Sequence, residues 1–155
     1  MTILSGKRGL IVGVANERSA AWGIAKKASD LGAELAFTYQ IPAFEKRIAP
    51  LAESVKSDIM IPCDLSEEAA AKRAMEQLST HWSEVDFVVH AVGFSDKQEL
   101  SGAYYNTSRQ NFRQTMLISA FSFTELAQAS APMMPNGGSL LTLSYLGSVR
   151  TTPNY

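Results

Sequence analysis

Hydrophobic residues fall into short unbroken runs separated by amphipathic stretches. Gly9-Leu10-Ile11-Val12-Gly13-Val14 carries no polar side chain. A strand with one wet face alternates, whereas an unbroken apolar run suits a parallel strand covered on both faces. The same reading places strands at 33–39, 58–63, 85–92 and 139–143. Helices are expected between them. The first spans 19–28, with Ser19 as N-cap and Gly32 just past its end. The second spans 42–55, with Phe44, Ile48, Leu51 and Val55 on one stripe, and Pro50 is expected to kink or split it. Ser66 is expected to cap a third helix over 67–82. A polar loop covers 95–106, and one long helix covers 107–130. Pro132, Pro135, Asn136, Gly137 and Gly138 mark a turn. Strand and helix alternate with short connections, which predicts an α/β fold built on a doubly wound parallel sheet. No linker divides the chain, so one domain is expected over 1–155.

Composition narrows the function classes. Among 155 residues the net charge is −1 and the cationic residues are scattered, so neither nucleic acid nor an anionic membrane is an expected partner. A single cysteine, Cys63, excludes an internal disulfide and a cysteine-based metal cluster. It reads as a small buried hydrophobe. The two histidines, His81 and His90, have no metal-site spacing, so no metal is expected. No apolar run approaches the ~20 residues needed to cross a bilayer, and 1–8 has no signal-peptide core. A cytoplasmic setting follows as the expectation.

In an open α/β sheet, ligands sit beyond the carboxyl ends of the strands. After the first strand, Gly13 is placed to let backbone approach a pyrophosphate. A helix starting near Ser19 offers unpaired N–H groups and a positive dipole end to anions, and Gly23 permits close packing of that helix on the sheet. A plain strand–helix turn explains the same residues. After the second strand, Gln40 stands where a dinucleotide fold usually has an acidic ribose ligand; it also reads as an exposed loop glutamine. Asp64 follows the third strand, either to meet an adenine amino group or to cap a helix in competition with Ser66. Gly93, after the fourth strand, lets ribose or nicotinamide lie against backbone. His90 reads as a core histidine. Tyr145 follows the fifth strand, and Tyr155 comes ten residues later. Each can donate a proton or hold an oxyanion, and each can equally be a packed aromatic with a wet hydroxyl.

Taken together, Gly13-Val14-Ala15-Asn16 with Ser19 and Ala21-Trp22-Gly23-Ile24-Ala25, then His90-Ala91-Val92-Gly93-Phe94, Leu140-Leu141-Thr142-Leu143-Ser144-Tyr145-Leu146-Gly147 and Pro153-Asn154-Tyr155, resemble the bacterial enoyl-acyl-carrier-protein reductases. These form a divergent branch of the short-chain dehydrogenase/reductase superfamily, whose ordinary TGxxxGxG and NNAG segments are absent. The resemblance spans the chain and implies a Rossmann-like sheet represented by its first five strands. It implies NADH as cofactor, held by Gly13, Ser19, Ala20, Gln40, Asp64, Leu65 and Val92. An enoyl-acyl-carrier-protein substrate would meet Ser95, although the family often has alanine there. Tyr145 and Tyr155 match the two active-site tyrosines. The implied role is reduction of trans-2-enoyl thioesters in fatty acid synthesis, by a homotetramer when complete.

The family pattern continues past the tyrosine to a lysine in a Tyr-x6-Lys arrangement. The sequence stops at Tyr155, so the 155-residue chain alone is expected to be inactive. Two rival readings stay open. One is a ketoacyl or other carbonyl reductase of the same superfamily, which Ser144, eleven residues before Tyr155, does not exclude. The other is a nucleotide-binding module without turnover.

Overall fold

The computed structural model describes residues 2–151; Tyr155, with Pro153 and Asn154 beside it, lies outside the described residues. Five strands form one parallel sheet: β1 Arg8–Val12, β2 Glu34–Tyr39, β3 Met60–Pro62, β4 Phe87–His90 and β5 Ser139–Thr142. Their order is β3-β2-β1-β4-β5, so the winding reverses between β1 and β4. The apolar runs are covered on both faces. Ile11 and Val89 meet α1 (Ala20–Asp30) and α2 (Pro42–Ser54) on one face. Leu10, Val12 and Val88 meet α3 (Ala70–Ser79) and α5 (Ser122–Ser130) on the other. At the sheet edge Leu140 and Leu141 stay exposed.

Several helices depart from expectation for identifiable reasons. Gly32 does end α1: it sits at φ +94°, and the Ala33 and Gly32 N–H groups bond back to the Ala28 and Ser29 carbonyls, closing a Schellman turn. Pro50 does not split α2, which runs through it unbroken. The proline is exposed, so water can satisfy the carbonyl it leaves without a partner. α3 starts three residues later than expected, after Ala69 in a left-handed conformation (φ +59°). Ser66 does not cap it; its N–H and hydroxyl instead donate to Asp64 at 2.9 and 2.7 Å. The long helix is three pieces: α4 Arg109–Met116, a π-helical turn Leu117–Phe121, and α5.

Gly23 does not bring α1 close to the sheet. It lies exposed on α1, and a Cβ built there meets nothing within 4 Å. A helical glycine in open space carries only its entropic cost. Gly23→Ala is therefore expected to stabilise the protein by about 0.5–1 kcal/mol. Urea unfolding checks this, and a loss of stability would mean that another surface occupies the space.

His90 is a core residue, fully buried on β4. Burial pushes its imidazole below the ordinary histidine value. As pH falls, the unfolded chain takes up the proton first, so stability is complete above about pH 6.5 and is lost as pH falls below it toward the lower folded value. The urea midpoint should drop between pH 7.5 and 5.5, and the drop should be smaller in His90→Gln. An equal drop in both proteins would assign it to other groups.

Candidate functional site

Gly13 leaves β1 at φ +106°, and a Cβ there would collide with the Ala91 carbonyl. Only glycine allows the exits of β1 and β4 to lie this close. Where the winding reverses, the loops beyond the two strands diverge and leave a crevice. In the loop from β1 to α1, Ser19 occupies the N-cap position, yet its side chain does not cap the helix. Its Oγ accepts from the Ala15 and Asn16 N–H groups at 3.0 and 3.1 Å. The Asn16 side chain in turn accepts from the Arg18 N–H at 2.8 Å. The hydroxyl thus shapes the loop; the Trp22 and Gly23 N–H groups bond the Ser19 carbonyl, and those of Ala20 and Ala21 are left for an outside acceptor. The first turn holds no acidic residue to compete with an anion.

Across the crevice, Gln40 Nε2 donates to Asp64 Oδ1 at 3.2 Å. Burial opposes ionisation of Asp64, but bonds from Ser66 and Gln40 outweigh it and hold the carboxyl below its usual range. Asp64 is therefore a fixed negative charge beside Gln40. Cys63 lies next to it, its thiol pushed up to about 11 by burial, an inert lining as its sequence context implied.

Gly13, Gln40, Asp64, Leu65, Val92 and Gly93 all line one cleft of about 210 Å³. Leu65 packs its side chain into the core. Ser19 and Ala20 do not line the cleft; Ser19 is joined to it through Ala15. A second cleft of about 610 Å³ adjoins the first and shares Val92, Gly93 and Phe94 with it. Ser95 and Tyr145 lie on its wall. The Tyr145 ring packs over Gly147, where a Cβ would strike it. Ser95 Oγ accepts from Asn111 Nδ2 and from the Thr115 hydroxyl at 3.1 and 3.2 Å. The Asn111 side-chain oxygen accepts from the Asp96 N–H at 2.8 Å.

Asn111, Thr115 and Ser119 were not anticipated from the sequence. A signal for Asn111 and Thr115 exists. Asn111, Thr115, Ile118, Ser122 and Leu126 form one helical stripe, and three of the five are polar where a core-facing stripe should be apolar. Asn111 and Thr115 bond the loop after β4, while Ser122 bonds the Ile118 carbonyl and His90 within the core.

Comparison with known proteins agrees with this geometry. Residues 13–155 match the family described as enoyl-(acyl carrier protein) reductase. The enoyl-[acyl-carrier-protein] reductase [NADH] 2 of Rhizobium meliloti is 54% identical over 153 residues, which is 99% of this chain and 57% of the relative. The crystal structure of FabI from Candidatus Liberibacter asiaticus superposes with a TM-score of 0.97 at 54% identity, covering 100% of this chain and 60% of that one. The enoyl-(acyl-carrier-protein) reductase of Anaplasma phagocytophilum, solved in complex with NAD, gives 0.95 at 49% identity, covering 99% and 59%. The chain thus spans somewhat under two thirds of the length of these relatives. By sequence, by sheet order and by the crevice at the β1/β4 reversal, the chain belongs to the enoyl-(acyl carrier protein) reductase family.

Proposed function

We propose that this chain supplies the cofactor cleft and part of the acyl cleft of an enzyme that reduces the trans-2 double bond of enoyl-acyl-carrier-protein thioesters with NADH. The observation that carries the reading is the pair of adjoining clefts that share Val92, Gly93 and Phe94. Gln40 and Asp64 suit the adenosine end: an amide for the ribose diol and a carboxylate for the adenine amino group. The α1 N-terminus suits the pyrophosphate, with Gly13 and Ala20 beside it. Gly93 leaves room for the nicotinamide at the junction, and the thioester then lies along Ser95 and Tyr145. When bound, NADH supplies the hydride that adds at the β-carbon. Tyr155 donates its hydroxyl to the thioester oxygen as negative charge gathers there. Tyr145 forms a wall that orients the acyl group.

The remaining parts of the reading follow from the surface. Phe112, Met116, Leu117 and Phe121 are exposed along α4 and the π turn, an apolar strip that suits a homotetramer. Among the described residues no helix is long and apolar enough to cross a membrane, which is compatible with a cytoplasmic enzyme.

The full-length protein should oxidise NADH with a crotonyl thioester and not with an acetoacetyl thioester. Preference for the acetoacetyl substrate would make it a carbonyl reductase; nucleotide binding without turnover of either would make it a binding module. NADH should exceed NADPH at least tenfold in kcat/KM, because the Asp64 charge beside Gln40 repels a 2′-phosphate at about 4 kcal/mol per unit-charge pair at 4 Å near a surface before screening. Arg47 stacks over the Phe44 ring, 5.4 Å from its centroid, and equal or better kcat/KM with NADPH would show that it reaches the phosphate. Asp64→Asn should narrow the preference; an unchanged ratio would remove Asp64 from the discrimination.

The two tyrosines should separate kinetically. Tyr155→Phe removes a hydrogen bond that strengthens as charge develops, worth roughly 1.5–3 kcal/mol, so kcat should fall about tenfold to a hundredfold with a smaller change in KM. Tyr145→Phe keeps the ring against Gly147 and should be milder. The reverse order of damage in kcat would exchange the two roles.

A further inference from the structure

The core contains a polar chain that leads from a fully buried histidine to the shared floor of the two clefts. Ser122, also fully buried, donates its hydroxyl to the Ile118 carbonyl at 2.7 Å. Its oxygen lies 2.8 Å from His90 Nε2. Because that hydroxyl proton is already committed, Nε2 must carry the proton and donate. His90 Nδ1 then accepts from the Thr142 hydroxyl on β5 at 2.9 Å. The imidazole is fixed at both nitrogens, and its tautomer is determined.

Ser122 adjoins the π-helical turn Leu117–Phe121, and Ile118, whose carbonyl it holds, is within the turn. A π turn adds a residue to the helix and changes which side chains face inward. Here it turns Ser119 toward the loop after β4. Ser119 Oγ accepts from the Phe94 N–H at 2.9 Å and lies 3.1 Å from the Phe94 carbonyl oxygen. Phe94 belongs to the floor common to both clefts.

We propose that His90 is a positioning residue: through Ser122 it holds the π turn in register, and through Ser119 the turn sets the height of Phe94 between cofactor and acyl group. This rests on the reductase reading above. His90 lines neither cleft. Its effect should appear in turnover rather than in capture of the adenosine end, because Gln40 and Asp64 lie beyond β2 and β3, away from this chain of bonds. Small misplacements at a reacting centre cost up to about a hundredfold in rate.

The test uses the full-length protein with Ser122→Ala, Ser119→Ala, the double variant, Thr142→Val and Thr142→Ser. Ser122→Ala and Ser119→Ala should each lower kcat on a crotonyl thioester about tenfold, with KM for NADH within about twofold. The double variant should be no slower than the worse single, since both break one linkage. Amide exchange at Phe94 should be at least about tenfold faster in both singles. Thr142→Val removes the hydroxyl that donates to His90 Nδ1 and should slow turnover, whereas Thr142→Ser should restore it. That pair lies on β5, outside the helix that carries Ser122, and decides the matter should Ser122→Ala fail to fold. Folded variants with wild-type kcat and wild-type Phe94 exchange, or multiplicative losses in the double variant, would overturn the proposal and leave His90 as core filling. If the wild-type protein does not reduce enoyl thioesters, the reductase reading falls, and Phe94 exchange alone still decides whether the linkage exists.

Discussion

The site depends on the contact between Gly13 and the Ala91 carbonyl. Any side chain at Gly13 would force the exits of β1 and β4 apart. With glycine there, the two central strands stay paired to their ends, Val12 opposite His90, and the chain turns away in opposite directions beyond them. The crevice is the space left by that divergence. Its walls are then fixed by groups already committed to one another: Ser19 to the loop before it, Asp64 to Ser66 and Gln40, Ser95 to Asn111. Ligand-facing groups are thereby ordered before any ligand arrives, which lowers the entropic cost of binding.

The sheet was legible because its signal is strong. Continuous apolar runs have one good solution in an alternating chain, and burial of β1 on both faces bears this out. Strand ends were less legible: Gly13 and Val14 are as apolar as Leu10 but lie beyond the strand. Helix boundaries failed where side chains found partners other than the helix. Ser66 was drawn to Asp64, so α3 begins only after Ala69. A helical period of 3.6 cannot display a π turn, because the residues on either side remain regular. Pro50 does not split its helix, since the cost of breaking one bond depends on exposure that sequence does not record.

Of the site, the residues with backbone roles were the most readable. Gly13 and Gly93 were placed by strand ends alone, although the close neighbour that makes Gly13 necessary is the chain's own backbone. Gln40 and Asp64 each had a bland alternative while considered separately. Only their mutual bond, across 24 residues of sequence, makes them one device. Gly23, by contrast, was given a packing role that its open surroundings do not support. Ser119 was hidden because it lies off the stripe of Asn111 and Thr115, and a polar residue on a helix reads as solvent-facing until a partner loop is known.

The strand order also has a consequence for synthesis. β1 pairs with β2 about one element away, but its other edge waits for β4, where Gly9 meets Phe87. A ribosome adds roughly 5–20 residues per second, so a nascent chain passes several seconds with the central strand half paired. During that interval the β1–β2–β3 half exposes an apolar edge and a crevice with only one wall. A ligand that needs the floor at Ala91–Gly93 cannot help this half to fold, because that floor has not been made. Parallel winding therefore places ligand-assisted stabilisation late in the life of the emerging chain, and leaves the early interval to whatever chaperone or crowding the cell provides.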